Sequence, residues 1–195
     1  PAGYIAALKA AQKGARVALI ERGELGGACL NRGCIPSKTY LHNAEIIDAI
    51  AHASERGIRI ADPSVTIDLP HVISVKNSVV RQLAGGLRGL LKSRAVEILS
   101  GSAVLTSPRE ALIDGARAVK ASQGVIVASG SQPALPPIPG AGHPRVLTSD
   151  GLLDLADMPA SLAILGAGVV GIEMAQVFRS YGVPVTLIEA EARIA

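Results

Sequence analysis

The chain contains two cysteines, Cys29 and Cys34, in the run Leu25-Gly26-Gly27-Ala28-Cys29-Leu30-Asn31-Arg32-Gly33-Cys34-Ile35-Pro36-Ser37-Lys38. Two thiols with four residues between them have three chemical uses: half of a zinc site, inert packing in a core, or a redox-active pair. The four histidines, His42, His52, His71 and His143, do not stand at ligand spacing from them, which weighs against zinc. Pro36 suits the first turn of a helix and would place Cys34 at that helix's N-terminus. There a thiolate is stabilised and a cysteine pKa can fall to roughly 3.5–7.5. In a chain with no other cysteine, such a pair fits catalysis better than a structural bridge.

A second run carries chemistry of another kind. Residues 162–165 (Leu-Ala-Ile-Leu) read as a short buried strand, followed by Gly166-Ala167-Gly168-Val169-Val170-Gly171 and a helical pattern running to about Tyr181. Gly182 ends that helix, and a strand over 184–188 delivers Glu189 eighteen residues after Gly171. Strand, G-x-G-x-x-G, helix, strand and acid together form the dinucleotide-binding fingerprint. Gly166 permits the tight turn, Gly168 lets a pyrophosphate approach the backbone, and Gly171 lets helix and strand pack closely. Val169 and Val170 begin the helix whose free N–H groups face the phosphates. An acid at Glu189 binds ribose hydroxyls and repels a 2′-phosphate, which favours NAD over NADP.

The elements around these runs repeat. A shift of 168 lays Gly3 on Gly171, Ala7 on Ala175, Gly14 on Gly182, Val17 on Val185, Leu19 on Leu187, Ile20 on Ile188 and Glu21 on Glu189, without a gap. Gly3 is then the third glycine of a first fingerprint, whose other glycines and feeding strand would precede Pro1. The chain also stops six residues after Glu189. The expectation is a fragment cut at both ends, from a protein with two dinucleotide sites that passes hydride from one cofactor to the other.

Composition bounds the rest. The 195 residues are 49% hydrophobic and 18% charged, which excludes a disordered chain. With three Tyr, one Phe and no Trp, the core is expected to consist of Ala, Val, Leu and Ile, and nothing offers a stacking platform for nucleic acid. The 19 basic and 16 acidic residues are mixed along the chain and read as a solvated surface. The longest uncharged apolar stretch, 162–172, falls short of the roughly 20 residues a bilayer span needs. No targeting signal is visible, and a cytoplasmic location is expected, with a leader upstream of Pro1 left open.

A helix over about 36–53 carries Leu41, Ala44, Ile47 and Ala51 on one stripe. A second, over about 71–92, carries Val72, Val75, Val79, Leu83, Leu87 and Leu90, and shows Lys76, Arg81, Arg88 and Lys92 on a face read as solvated. Segments near 96–99, 103–105, 111–113 and 117–120 read as small antiparallel strands inserted in the first domain. Residues 124–131 (Gly-Val-Ile-Val-Ala-Ser-Gly-Ser) read as a buried strand entering a small-residue turn, and 135–140 as a rigid linker.

Over essentially its whole length the chain resembles the pyridine-nucleotide disulfide oxidoreductases, chiefly through Gly-Gly-Ala-Cys-Leu-Asn-Arg-Gly-Cys-Ile-Pro-Ser-Lys and the two flanking fingerprints. The resemblance implies an α/β fold of tandem Rossmann-like (FAD/NAD(P)-binding) three-layer ββα domains, only the first nearly complete. The FAD-binding domain would span 1–145, and 146–195 would open the NAD-binding domain. It also implies that Cys29 exchanges with a dihydrolipoamide substrate while Cys34 contacts the flavin. Lys38 would sit near the flavin, and Glu173 would be the carboxylate that pairs with it beside the NAD site.

For FAD, the resemblance implies Gly3 in the first fingerprint, Glu21 on the ribose, Gly26, Gly27 and Ala28 along the pyrophosphate, and Ala103 of Gly101-Ser102-Ala103 on the adenine side. Ser129, Gly130 and Ser131 match the loop that closes the FAD domain, with Ser129 where the family has Thr. NAD would be held by Gly166, Gly168, Val169, Val170, Gly171, Glu173 and Glu189. No metal is implied. The implied partners are a lipoyl-bearing protein or dihydrolipoamide, a second subunit through a C-terminal domain, and a 2-oxo acid dehydrogenase complex.

The family's third FAD segment, remaining nicotinamide contacts, dimerisation domain and His-Glu pair would lie beyond Ala195, so the chain is not expected to turn over unaided. The expected reaction oxidises dihydrolipoamide with NAD+ as acceptor. Alternatives are a sibling reductase acting on mercuric ion or glutathione, or a catalytically inactive dinucleotide-binding module. Ser37 stands before Lys38 where the glutathione branch has a second Lys, and Glu189 disfavours NADPH; both weigh against glutathione.

Overall fold

The structure is a computed structural model that describes residues 1–194. Two compact units divide the chain: one joins Pro1–Asn31 to Val80–Gln132, the other joins Arg32–Val79 to the chain from Pro133 onward. These units follow packing, whereas the division at 145/146 follows motif order.

The first unit opens with helix α1 (Ala2–Gln12), whose five alanines favour the helical state. Gly14, at φ +85°, ends it. The Gly14 N–H donates to Ala11 O at 2.9 Å and the Ala15 N–H to Ala10 O at 3.1 Å, a left-handed cap. Strand β1 (Ala18–Glu21) then pairs in parallel with β2 (Glu97–Ser100), from Ala18↔Glu97 to Glu21↔Ser100. This corrects the reading of 96–99 as part of an antiparallel insertion. Val96 and Leu99 are buried, and four residues are too few for their pattern to distinguish a parallel strand from an antiparallel one. Strands β3 (Ala103–Ser107), β4 (Glu110–Ile113) and β5 (Arg117–Lys120) do form the expected antiparallel sheet.

Residues 124–131 form no strand, and Ile126 is 70% exposed. The apolar run predicts a buried strand, but hydrophobicity alone supplies neither a ladder partner nor a covering layer, and the described residues provide no ladder for it.

In the second unit, helix α3 (Cys34–Ala51) packs against α6 (Val169–Ser180). Between them in sequence lie helix α4 (Leu69–Ser93), which continues into the first unit, and a short helix α5 (Ser149–Leu152). The residual short helix α2 (Gly27–Arg32) precedes α3. Strands β6 (Leu162–Leu165) and β7 (Val185–Ile188) pair in parallel, from Leu162↔Val185 to Leu165↔Ile188. Strand β6 is not fully buried: Leu162 and Ile164 pack on the core, while Leu165 is exposed. Helix α6 ends as α1 does. Gly182 has φ +84°, its N–H donates to Arg179 O at 3.0 Å, and the Val183 N–H donates to Phe178 O at 3.0 Å. These are the α1 capping bonds displaced by 168 residues, so the repeat extends to individual hydrogen bonds.

The core of this unit corrects the aliphatic expectation. Tyr40, Phe178 and Tyr181, three of the chain's four aromatics, sit together in it. The ring centroids of Tyr40 and Tyr181 lie 6.3 Å apart and those of Phe178 and Tyr181 6.1 Å apart, within the favourable aromatic range. Burial pushes the Tyr40 hydroxyl pKa up, with further upward contributions from Tyr181 and Asp154, so it stays a neutral donor. That hydroxyl donates to Leu153 O at 2.9 Å.

Lys76 donates to the same carbonyl at 3.0 Å and pairs with Asp154. It is only 4% exposed, which corrects its assignment to a solvated face. Helix α4 buries Leu69, Val72, Lys76, Val80, Leu87 and Leu91, and leaves Val75 and Leu83 42% exposed. The buried stripe is thus rotated from the one read in sequence. A lysine within it is accommodated because a carbonyl and a carboxylate meet its ammonium.

Candidate redox and dinucleotide-binding sites

Helix α2 carries Cys29 and ends before Gly33, whose φ of −136° and ψ of −107° break the helical path. Helix α3 begins at Cys34. Both cysteines are disulfide-bonded, and the chain has no others. The zinc reading gains nothing: among the described residues no group of three or more His, Cys, Asp or Glu could hold a metal. Inert core packing does not fit either, since Cys34 is exposed and Cys29 half-buried. No side chain caps the 18-residue α3, so its partial positive end stands at Cys34. Exposed Lys38 is four residues on, on the same helical face.

Asp150 pairs with Arg32 at 3.3 Å, a contact that separation along the sequence hid. Lys38 and Glu173 form no ion pair with one another among the described residues. Glu173 lies half-buried in the first turns of α6.

In the first unit, several residues expected to hold FAD converge on the start of α1. A Cβ on Gly27, at φ +69°, would lie 2.8 Å from Pro1 N, and one on Gly3 would lie 3.3 Å from Ala128 Cβ, next to Ser129. The turn at Gly26 and Gly27 and the 128–131 loop, with Gly130 and Ser131, therefore both approach the α1 N-terminus. A helix end met by glycines at which a Cβ would be crowded is a cradle suited to a dinucleotide phosphate, so the residues fit the group. Ala28 lies just inside α2.

Glu21 Oε1 accepts a hydrogen bond from the Gly23 N–H at 2.9 Å. Ala103 opens β3, beside Ser102, whose N–H donates to Asp114 Oδ1 at 2.8 Å. Sequence reasoning missed Asp114. Its positive φ of 48°, which Asp tolerates better than most residues, marks the turn that aims it.

In the second unit, the glycine-rich loop takes the expected form. Gly168 is the N-cap of α6 with no side-chain bond, so the N–H groups at Val169 and Val170 open the helix. Gly166 has φ +102°, and a Cβ on Gly171 would lie 2.1 Å from Gly166 O. Glu189 is fixed to this loop: Ala167 N–H donates to its Oε2 at 2.6 Å, and the N–H groups of Ala190 and Glu191 donate to its Oε1 at 2.7 and 2.9 Å. The Glu191 contact repeats the Glu21–Gly23 contact at the 168-residue shift. The arrangement suits a dinucleotide ribose, and again the residues fit.

The bonds from Glu191, Ala167 and Ala190 hold the Glu189 carboxyl pKa below its ordinary value of 4.5. A depressed carboxylate contributes its stabilisation above the unfolded pKa and loses it as pH falls through the folded one. The Glu189 carboxyl carbon resonance should therefore titrate with a midpoint below 4.5, and a midpoint at or above that value would contradict these bonds.

Residues 1–195 match the family described as pyridine nucleotide-disulphide oxidoreductase. The chain belongs to this family. Among its members, the dihydrolipoyl dehydrogenase of Chlamydia trachomatis is 44% identical over 197 residues, covering 100% of this chain and 42% of that protein. The dihydrolipoyl dehydrogenase of Bacillus subtilis is 40% identical, covering 100% of this chain and 43% of its own length. The chain thus spans less than half the length of these relatives. The HOCl-induced flavoprotein disulfide reductase RclA from Escherichia coli superposes with a TM-score of 0.82 at 32% identity, over 99% of this chain and 41% of that one. Membership in the pyridine nucleotide-disulphide oxidoreductases and the superposition on RclA show a flavoprotein disulfide reductase fold with Rossmann-like parallel strand pairs.

Proposed function

We propose that this chain carries the disulfide centre of an FAD-dependent dihydrolipoyl dehydrogenase that uses NAD+ as acceptor. The observation that carries the reading is the Cys29–Cys34 disulfide with Cys34 as first residue of α3. A thiolate of dihydrolipoamide attacks Cys29 Sγ, a substrate–Cys29 disulfide forms, and Cys34 leaves as thiolate, stabilised by the α3 N-terminus and Lys38. The second substrate thiolate then attacks the substrate sulfur of that mixed disulfide, releasing lipoamide and the Cys29 thiolate. Two electrons have passed to the chain and the substrate's two thiol protons have been released. Bound FAD supplies the two-electron carrier between the dithiol and the nicotinamide.

In this reading residues 1–145 make the FAD-binding domain and 146–195 open the NAD-binding domain. Gly3, Glu21, Gly26, Gly27, Ala28, Ala103, Ser129, Gly130 and Ser131 serve FAD. Gly166, Gly168, Val169, Val170, Gly171, Glu173 and Glu189 serve NAD, and Lys38 sits near the flavin. A lipoyl-bearing protein of a 2-oxo acid dehydrogenase complex supplies the substrate, and the working protein is a homodimer.

The test is anaerobic reduction of the full-length protein. Dihydrolipoamide should open the disulfide to two titratable thiols and raise a long-wavelength charge-transfer absorption, which NAD+ should discharge. Reduction by dihydrolipoamide no faster than by glutathione would overturn the substrate. A preference for NADPH over NADH would overturn the role of Glu189.

A further inference from the structure

Asn31 lies between the two cysteines and has no part in the steps above. Its Nδ2 donates to three backbone carbonyls of one short loop: Glu24 O at 3.3 Å, Leu25 O at 3.1 Å and Gly27 O at 3.1 Å. Gly26 (φ +119°) and Gly27 (φ +69°) bend this loop so that its carbonyls converge. A Cβ on Gly26 would lie 2.8 Å from Leu30 Cβ, so the loop is folded tightly against α2.

Among the described residues no peptide bond is cis. In a trans peptide the C=O of one residue and the N–H of the next point in opposite directions. Drawing the carbonyls of Glu24, Leu25 and Gly27 toward Asn31 therefore turns the N–H groups of Leu25, Gly26 and Ala28 away from it, onto the outer side of the bend. Asn31 sits two residues after Cys29 on the same helix, so one amide both sets the course of that backbone and ties it to the redox-active cysteine.

We propose that Asn31 is a positioning residue that shapes the backbone of residues 24–28 for the cofactor's pyrophosphate and holds Cys29 in register with it. This rests on the reading that Gly26 and Gly27 lie along the FAD pyrophosphate. The residue type follows from the geometry. Asn31 Oδ1 is buried and accepts no hydrogen bond among the described residues, so the three Nδ2 bonds alone orient the amide. An aspartate would set a carboxylate against three carbonyls, and a leucine would leave them without a donor.

The test uses the full-length protein stripped of FAD and reconstituted, with wild type beside Asn31→Ser and Asn31→Asp. FAD affinity is read from flavin fluorescence, and the charge-transfer absorption on reduction is read per bound flavin. Asn31→Ser keeps one donor and should weaken FAD binding by about threefold to tenfold, and Asn31→Asp by more than tenfold, with the absorption per bound flavin lowered in the same order. A merely structural asparagine would lower thermal stability yet leave that absorption per bound flavin unchanged. Affinity and absorption within twofold of wild type in both variants would overturn the proposal.

Hydrogen exchange in the wild type gives a reading that requires no variant. Amides of residues 25–30 should slow when FAD is added, and no slowing there would equally overturn it. Failure of the wild type to bind FAD at all would instead overturn the functional reading on which this inference rests.

Discussion

Serine at position 34 should abolish the long-wavelength absorption and lower turnover of the full-length protein by on the order of a thousandfold or more, because it removes the leaving thiolate of the exchange step. A serine oxygen cannot form the bond to Cys29 Sγ, so the centre can neither accept nor release an electron pair. The contrast with Cys29→Ser gives the test its direction. That variant should be equally inactive, but its Cys34 can no longer be tied up in a disulfide. It stands at the uncapped N-terminus of α3, with Lys38 four residues on, and the helix end favours it as thiolate. Cys29→Ser should therefore show the charge-transfer absorption before any reductant is added, whereas Cys34→Ser should not show it after complete reduction. If Cys34→Ser retained the absorption, the two cysteines would have to exchange roles.

What could be read in the sequence was what repeats or what a single residue type enforces. The α1 and α6 caps were legible because a left-handed residue at a helix end calls for glycine, and Gly14 and Gly182 fall at equivalent positions of the repeat. The start of α3 was legible from Pro36, although the helix begins at Cys34, two residues before it. The buried face of α4 was not. Its apolar residues are numerous enough to draw two stripes, and the one that packs includes Lys76, whose partners Leu153 O and Asp154 lie 77 and 78 residues away. Burial of a charge depends on such distant groups, which a local period cannot report. Asn31 escaped for a different reason. Its three acceptors are near in sequence but are backbone atoms, and only the bend at Gly26 and Gly27 gathers them. Likewise, a count of four aromatics gave no sign that three of them would share one core.

Alanine at Gly171 should be the most damaging single methyl in the glycine-rich loop. Its Cβ would lie 2.1 Å from Gly166 O and 3.2 Å from Gly166 C, so the clash is with backbone and cannot be relieved by a side-chain rotation. Nor can Gly166 withdraw freely, because its N–H donates to Ile188 O at 2.8 Å, and the next residue, Ala167, is bonded to Glu189. Relief must break one of these links between the loop and the end of β7. Overpacking of this kind costs about 1–3 kcal/mol, which corresponds to a fall in Tm of roughly 2–4 °C per kcal/mol for a domain of 150–250 residues. NADH affinity should fall at least tenfold, since displacement of the loop also displaces the start of α6. Gly168→Ala is the informative control: a Cβ there meets nothing within 4 Å and φ is −72°, so the fold has room for it. It should leave Tm within about 2 °C of wild type while weakening NADH binding, because the methyl would occupy the space through which a pyrophosphate approaches the backbone. If Gly168→Ala bound NADH as tightly as wild type, the ligand would not pass over this loop. If Gly171→Ala left Tm unchanged, the Gly166–Ile188 link would not be holding the loop.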